Sequence, residues 1–356
     1  MNRAINKIVE KVRQRQRLTF QEAQILWYEC DLLTLGTLAQ SVSKDLHGDD
    51  KVTFVIDRNI NYTNVCTMGC RFCAFYKEPN SPGAYVLDEK EIFKKIEETI
   101  ALGGTQILMQ GGLHPELTLE YYLDLLRAIK ERYKIHIHSF SPPEIVHIAE
   151  KSGLSIAKTI ESLKEAGLDS IPGGGAEILD DRVRALISPR KIGWRQWMDV
   201  MQTAHRQGMK TTATMMFGSV ETVEERIYHL ERLREAQDET GGFTAFIPWS
   251  FQPDHTELGG MSATGVEYIR TLALSRVFLD NIPNIQASWV TQGSGMAQVA
   301  LAFGANDFGG TMLEENVVRA TGVTYRVPLD EIVHCIRTVG KEPVQRDTLY
   351  RALRAF

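Results

Sequence analysis

Asn64-Val-Cys66-Thr-Met-Gly-Cys70-Arg-Phe-Cys73-Ala-Phe-Tyr76 holds three cysteines at C-x3-C-x2-C spacing, with an aromatic residue before the third. Three thiolates this close can wrap one metal centre while leaving it one ligand short. A [4Fe–4S] cluster normally takes four cysteines, one per iron, so a three-cysteine loop leaves one iron open to a small molecule. Zinc is the other reading. A structural zinc site wants four N or S ligands in a tetrahedron, and the fourth would have to come from far away, because Cys30 and Cys335 are distant and no second C-x2-C pair exists. Five cysteines, three of them bunched, do not make a secreted disulfide framework.

Away from this loop the composition suits an intracellular enzyme. The chain has 356 residues, 43% of them hydrophobic, enough for one large α/β domain or two smaller ones. A net charge of −5 with no basic block beyond the first turns argues against a nucleic-acid binder held by phosphate contacts. Residues 1–17 are rich in Lys and Arg, yet they include Glu10, lack Ser and run into Thr19-Phe-Gln-Glu22, a helix capping box. A surface helix is expected there, not a transit peptide. No apolar run approaches the roughly 18 residues of a membrane span, so no membrane partner is expected. Reduced thiols without a secretory signal point to the cytoplasm.

Apolar, β-leaning stretches recur at 52–56, 105–109, 135–138, 168–171, 211–217, 243–248, 285–289 and, weakly, 306–308. Helix-period segments ending in glycine separate most of them. Ser155 caps one whose Ile156, Ile160 and Leu163 share a face, and Gly167 stops it. Ser141-Pro142-Pro143 opens another, with proline where the first-turn N–H is free anyway. Eight strands with interposed helices favour an α/β fold of the (β/α)8 TIM-barrel type, or an incompletely closed relative, over a doubly wound sheet. The expected division is a helical extension over 1–50, a barrel over 51–310 and an extension packed on it over 311–356, with no linker between them.

Reactive groups in such a barrel sit at the C-terminal strand ends. Glycines cluster there: Gln110-Gly111-Gly112, Pro172-Gly173-Gly174-Gly175, Gly218 and Gly309-Gly310. Loops of this kind are commonly glycine-rich for structural reasons alone. Their recurrence on one rim, with a cysteine loop leaving the first strand, favours a ligand-lined mouth where backbone approaches ligand closely.

With these runs in hand, the chain is seen to resemble the radical S-adenosylmethionine (SAM) superfamily, and within it the menaquinone (futalosine-pathway) branch. The resemblance covers residues 51–260. It rests on the cysteine loop, on Thr105-Gln-Ile-Leu-Met-Gln-Gly-Gly-Leu-His-Pro115 and on His136-Ile-His-Ser-Phe-Ser-Pro-Pro-Glu144. It rests equally on Asp169-Ser-Ile-Pro-Gly-Gly-Gly-Ala-Glu177, on Thr212-Ala-Thr-Met-Met-Phe-Gly218 and on 237–253. The lead-in Asn61-Tyr-Thr-Asn-Val-Cys66 and the run Phe246-Ile-Pro-Trp-Ser-Phe-Gln-Pro253 point to the branch's cyclising members. Aminofutalosine synthase and the deazaflavin (FO) synthase components are near relatives and stay open as alternatives, as does a zinc-dependent barrel protein.

The resemblance implies one [4Fe–4S] cluster held by Cys66, Cys70 and Cys73, SAM as a consumed cosubstrate, and an electron donor such as ferredoxin or flavodoxin. It further implies a small-molecule nucleoside substrate whose ribose C4' loses hydrogen, the new carbon radical then adding to a benzoate ring. Phe72 would pack over the cluster and Tyr76 lie near the adenine. Gln110-Gly111-Gly112 takes the place of the family's Gly-Gly-Glu turn, without its Glu. Glu177 matches a residue that holds the ribose hydroxyls of SAM, and Gly218 with Glu221 resembles the adenine motif, although Thr214 replaces its first glycine. For Glu177 and Glu221 the bland alternative is a first-turn carboxylate favoured by the helix dipole.

Candidate substrate handles are His114, His138, Ser141, Glu144, Gln252 and Thr256, with Trp249, Phe251 and Trp289 as apolar wall. Which residue serves as base is open. His136 and His138 lie on one face of a strand, which would also suit zinc, although that site would need further ligands. Gly293-Ser-Gly295 lacks the third glycine of a dinucleotide fingerprint. Only Cys30 and Cys335 remain beyond the triad, too few for a second cluster, and both sit in apolar, helix-like settings.

Overall fold

The computed structural model describes residues 3–48 and 50–356; Met1, Asn2 and Asp49, which the expected N-terminal extension includes, lie outside the described residues. Eight parallel staves form the barrel. The first is one bent strand in two pieces, β1 (Lys51–Val55) and β2 (Asp57–Ile60), longer than the expected 52–56. It is followed by β3 (Gln106–Met109), β4 (His136–Ser139), β5 (Ser170–Ile171), β6 (Lys210–Phe217), β7 (Phe243–Ser250), β8 (Asn284–Ile285) and β9 (Asp307–Gly310). From β2 to β8 each stave pairs in parallel with the next. β9 closes the ring. It meets β8 through the Asn306 N–H on the Ile285 carbonyl (3.1 Å) and the Ala287 N–H on the Asp307 carbonyl (2.9 Å), and on its other side it pairs with β1.

The bend in the first stave follows from its neighbours. β1 pairs with β9 and with β10 (Glu342–Arg346), whereas β2 pairs with β3. β10 in turn carries the antiparallel β11 (Ala352–Ala355). Neither of these tail strands is legible in the sequence, because Glu-Pro-Val-Gln-Arg lacks an alternating apolar pattern and gains its partners only from the folded barrel. At 285–289 the expected strand is shorter. It ends at Ile285, and Trp289 instead opens the helix Trp289–Ala300, which breaks its own φ/ψ at Gly293. The Ser288 N–H leaves the ladder to bond the buried Tyr268 hydroxyl (2.7 Å), and the Trp289 indole donates to the Gly310 carbonyl (2.9 Å).

Helices cover the outside with their apolar faces. In Ile156–Ala166, capped by Ser155 and stopped at Gly167, Ile160 and Leu163 are fully buried, where truncation to Ala costs about 2–5 kcal/mol. Helix Gly265–Phe278 is buried on almost every side, from Tyr268 to Phe278 with the exception of Arg270. A helix buried on so many sides has to be covered on its outer face as well, and helices Phe20–Glu29 and Leu32–His47 pack there. The capping box at Thr19 starts the first of these, with the Glu22 N–H on the Thr19 hydroxyl and the Thr19 N–H on Glu22. No helix among the described residues is long and apolar enough to cross a membrane.

The chain's end seals the floor of the barrel. Arg346 donates from Nη2 to Asp307 (2.9 Å), pairs with the other oxygen through Nε (2.5 Å) and stacks over the Tyr350 ring at 3.8 Å. The Thr348 hydroxyl bonds Gln106 (2.6 Å), whose amide in turn bonds Asp57 (3.0 Å). Both members of the Arg346–Asp307 pair are buried. Removing one partner of such a pair strands the other charge, at about 3–5 kcal/mol. Arg346→Ala is therefore expected to lower the denaturant midpoint by that much stability, whereas Arg195→Ala, which breaks an exposed pair with Asp181, should change it by no more than about 1 kcal/mol; equal effects would refute the keystone role of the floor pair.

Candidate active site

The segment between β2 and helix Glu89–Ala101 crosses the top of the barrel, and backbone bonds fix its path. The Cys66 N–H bonds the Lys77 carbonyl (2.9 Å), the Lys77 N–H bonds the Asn64 carbonyl (2.8 Å), and the Arg71 N–H reaches the Ile187 carbonyl (2.9 Å). Arg190 donates from Nε to the Met68 carbonyl (2.9 Å). Two glycines make this path possible. Gly69 sits at φ +54, and a Cβ there would collide with the Arg190 guanidinium. Gly112, at the end of β3, lies so close under the loop that a Cβ would fall on the Val65 carbonyl and 2.8 Å from the Cys66 Cβ.

Cys66, Cys70 and Cys73 are all free thiols on this loop, Cys70 buried and the others partly so. Burial pushes the Cys70 thiol up to about 12 and raises Cys73, with Lys191 acting against the rise and the neighbouring thiols adding to it. Metal ligation therefore has to displace protons here. Among the described residues no three His, Cys, Asp or Glu side chains are drawn together around a single ion. A mononuclear zinc site needs sulfurs about 2.3 Å from one metal, whereas a cubane takes each thiolate on a different iron. Three free thiols on one loop, with side-chain-free Gly112 beneath it, are a donor set that fits the cluster.

Beside the thiols lies a buried charge group that the sequence did not reveal. Glu177 accepts from the Lys191 ammonium (2.9 Å) and faces Arg184 (3.4 Å). Burial pulls on the Lys191 ammonium, but Glu177 and Cys70 outweigh it and hold its pKa above the ordinary lysine value. The same ammonium lies 5.3 Å from the centre of the Phe72 ring, a cation–π contact. Glu177 is held at φ +41, a left-handed conformation that costs a non-glycine residue about 1–2 kcal/mol. Its carbonyl accepts from the Met216 N–H (2.9 Å), which secures that geometry. Strain of this kind gathers at functional sites. In the sequence Arg184, Arg190 and Lys191 look like any surface charges, and no local signal separates them.

Below, the barrel encloses a cavity of about 260 Å³. Gln110, His138, Glu177, Trp249 and Trp289 line it, as does the polar floor of Asp57, Gln106, Arg346, Thr348 and Tyr350. Burial raises the Asp57 carboxyl above its ordinary range, against its bonds from the Met312 N–H and Gln106. His138 shares the Ser170 hydroxyl with His136, at 2.6 Å and 2.8 Å, and burial pulls it down to about 3.

The remaining sequence candidates lie outside the cavity lining. Glu144 is buried and fully engaged: it accepts from the Tyr62 hydroxyl (2.7 Å), the Gly111 N–H (3.0 Å), and the Ser141 N–H and hydroxyl. Glu221 holds the turn after β6 through the N–H groups of Gly218 (2.5 Å) and Ser219 (2.9 Å) and pairs with Arg226. His114 accepts from the Glu116 N–H, and the Thr256 hydroxyl bonds the Pro253 carbonyl. Gln252 bonds Ser250 and faces an outer depression with Thr291 and Tyr325. Tyr76 folds back so that its hydroxyl borders Gly69.

Residues 60–233 match the model of the radical SAM superfamily and residues 240–355 that of the CofH/MqnC C-terminal region. The cyclic dehypoxanthine futalosine synthase of Halalkalibacterium halodurans is 49% identical, over 99% of this chain and 96% of its own. That of Streptomyces coelicolor is 42% identical, over 98% and 89%. The aminodeoxyfutalosine synthase of Thermus thermophilus is 41% identical, over 98% and 96%. Among solved structures, the FeFe-hydrogenase maturase HydG from Carboxydothermus hydrogenoformans superposes with a TM-score of 0.77 at 18% identity, over 98% of this chain and 80% of that one, a likeness of fold.

Gly112→Ala tests the cradle. Overpacking there should cost about 1–3 kcal/mol, relieved by displacement of the cysteine loop. Iron and sulfide bound per chain after anaerobic reconstitution should fall at least severalfold while the unfolding transition stays cooperative. Wild-type iron content in the variant would show that the close approach is dispensable.

Proposed function

Because the chain belongs to the radical SAM superfamily, in the futalosine-pathway branch that shares the CofH/MqnC C-terminal region, we propose that it converts dehypoxanthine futalosine to cyclic dehypoxanthine futalosine in menaquinone biosynthesis. The observation that carries this reading is the 49% identity to a relative of that name across 99% of the chain. Cys66, Cys70 and Cys73 would hold the cluster, leaving one iron for SAM. When bound, cluster and SAM supply a carbon radical able to take hydrogen from an unactivated ribose carbon. The electron would come from a carrier of the ferredoxin or flavodoxin class.

The chain's own residues have three tasks. The first is positioning. A radical is unselective, so the target C–H must be held at a near-attack separation of about 3–3.5 Å, a role that suits a cavity walled by Trp249 and Trp289. Second, that wall excludes water, which would otherwise quench the reaction. Third, the polar floor can meet the hydroxyl groups of a sugar, since Gln106, Thr348 and Tyr350 bring both donors and acceptors. Lys191, paired with Glu177 and felt by Cys70, places positive charge next to the thiolates, where cluster charge would otherwise go uncompensated.

The test is anaerobic turnover with SAM, a strong reductant and dehypoxanthine futalosine, read by mass spectrometry. A product lighter than the substrate by two hydrogens, formed with 5'-deoxyadenosine and lost in Cys70→Ala, is the expected result. Deoxyadenosine without consumption of this substrate would move the assignment to the aminodeoxyfutalosine reaction of the Thermus relative. A colourless protein that binds zinc and leaves SAM intact would overturn it altogether.

A further inference from the structure

Cyclisation onto an arene leaves a ring radical that must lose one electron and one proton to regain aromaticity. In a dry cavity the proton has nowhere to go unless the protein provides a path. One hydrogen-bonded chain leads out of this cavity. His138 lines it, and His138 Nε2 lies 3.5 Å from the Thr212 hydroxyl on the cavity wall. On the far side of the ring, His138 Nδ1 meets the Ser170 hydroxyl at 2.6 Å, and the same oxygen meets His136 Nε2 at 2.8 Å. His136 stands two residues earlier on β4, and with Lys130 and Asp169 it borders a surface depression at the N-terminal end of the strands. The cysteine loop occupies the other end. Ser170 is almost wholly buried.

We propose that His138 Nε2 accepts the proton released in cyclisation and that Ser170 and His136 relay it to solvent at the barrel floor. The proposal rests on the cyclase reading above. In the working orientation His138 carries its proton on Nδ1 and donates to Ser170, and the Ser170 hydroxyl donates to His136 Nε2. The proton leaving the ring carbon bonds to the lone pair of His138 Nε2. The Nδ1 proton moves to Ser170, the Ser170 proton moves to His136 Nε2, and His136 releases its Nδ1 proton to water. The electron passes to a one-electron acceptor of the iron–sulfur class, so charge and atoms balance.

The surroundings suit a relay. His138 faces His136 and Arg346, and burial holds its pKa far below neutrality, so the neutral imidazole is the resting form and a captured proton is passed on rather than kept. His136 is lowered as well, chiefly by burial, and it faces the carboxylates of Asp169 and Asp347 and the cations of Lys130 and Arg351. A structural role alone, satisfying one buried and one half-buried imidazole, would need the contacts but no connection from cavity to surface.

Two measurements decide it. Histidine 15N spectra of the wild-type protein at pH 7 should show His138 neutral with its proton on Nδ1; an imidazolium, or a proton fixed on Nε2, overturns the relay whatever the substrate. In turnover, Ser170→Ala cuts the chain and leaves both imidazoles in place. Deoxyadenosine release should stay within about twofold, cyclised product should fall by about a hundredfold, the lower end of general acid–base contributions, and an organic radical should build up in electron paramagnetic resonance. Ser170→Thr, which restores the hydroxyl, should recover the product. A Ser170→Ala enzyme with the wild-type ratio of product to deoxyadenosine refutes the relay. If the wild type itself makes deoxyadenosine and no cyclised product, the cyclase reading falls and the relay falls with it, an outcome distinct from a cyclising wild type whose Ser170→Ala variant cyclises equally well.

Discussion

The Val65 carbonyl and the Cys66 β-carbon occupy the space where a side chain on Gly112 would stand. Because nothing stands there, the cysteine loop can lie directly on the end of β3, and the positions of the thiols, of Lys191 and of Phe72 follow from that contact. The loop is not left to find its place by burial alone. Arg190 and the Ile187 carbonyl reach it from the segment after β5, while the Leu258 N–H bonds the Arg71 carbonyl from the segment after β7. Distant parts of the chain converge on a dozen residues, so the barrel must be assembled before the loop has a shape. A loop pinned this way has its backbone path set by the fold, so less freedom is left to lose when a ligand binds.

Burying charge beneath that loop is costly, and the cost is met by completeness. Lys191, Arg184 and Glu177 form a compact group in which every charge has a partner, while the Arg184 guanidinium also donates to the carbonyls of Ala176 (2.8 Å) and Ile192 (2.9 Å). The floor repeats the pattern with Arg346, Asp307 and Thr53. Such pairs seldom add stability over an apolar core of the same shape. Their presence at both ends of the cavity therefore marks positions where polarity is wanted, with apolar staves between. A cavity that is polar at floor and rim and aromatic along its wall can orient a molecule that is itself part sugar and part arene.

Short-range chemistry was legible in the sequence and long-range chemistry was not. The cysteine spacing, the rim glycines, the caps at Thr19, Ser141 and Ser155 and the eight staves can be read because each signal lies within a few residues. Even there, residue type outran role. Glu144 looks like a free polar handle on a strand end, yet it is the capping carboxylate of its own helix and the brace of the Gly111 turn. The Glu221 side chain is likewise fully buried against Arg226. The floor could not be read at all, because Thr348 meets Gln106 across 242 positions of sequence and Arg346 meets Asp307 across 39. Pairings of that reach leave no periodicity behind. Lys191 is the sharpest case: a lysine in a loop gives no sign that it will pair with Glu177 over the Phe72 ring.

The two ends of the barrel divide the labour in a way that a single opening could not. The mouth, under the cysteine loop, has to exclude water while radical chemistry proceeds, so it cannot also serve as an exit for protons. Strands offer a second direction. Side chains two residues apart on one stave point to the same side and stack along the barrel axis, which puts His138 in the cavity and His136 near the floor, and β5 supplies Ser170 in register with His138, its hydroxyl within reach of both rings. A hydrogen-bonded column of this kind moves charge along the axis while the mouth stays dry. The geometry of parallel strands, and not a special loop, is what makes the column possible; the chemistry needed only two imidazoles and a hydroxyl at the right registers.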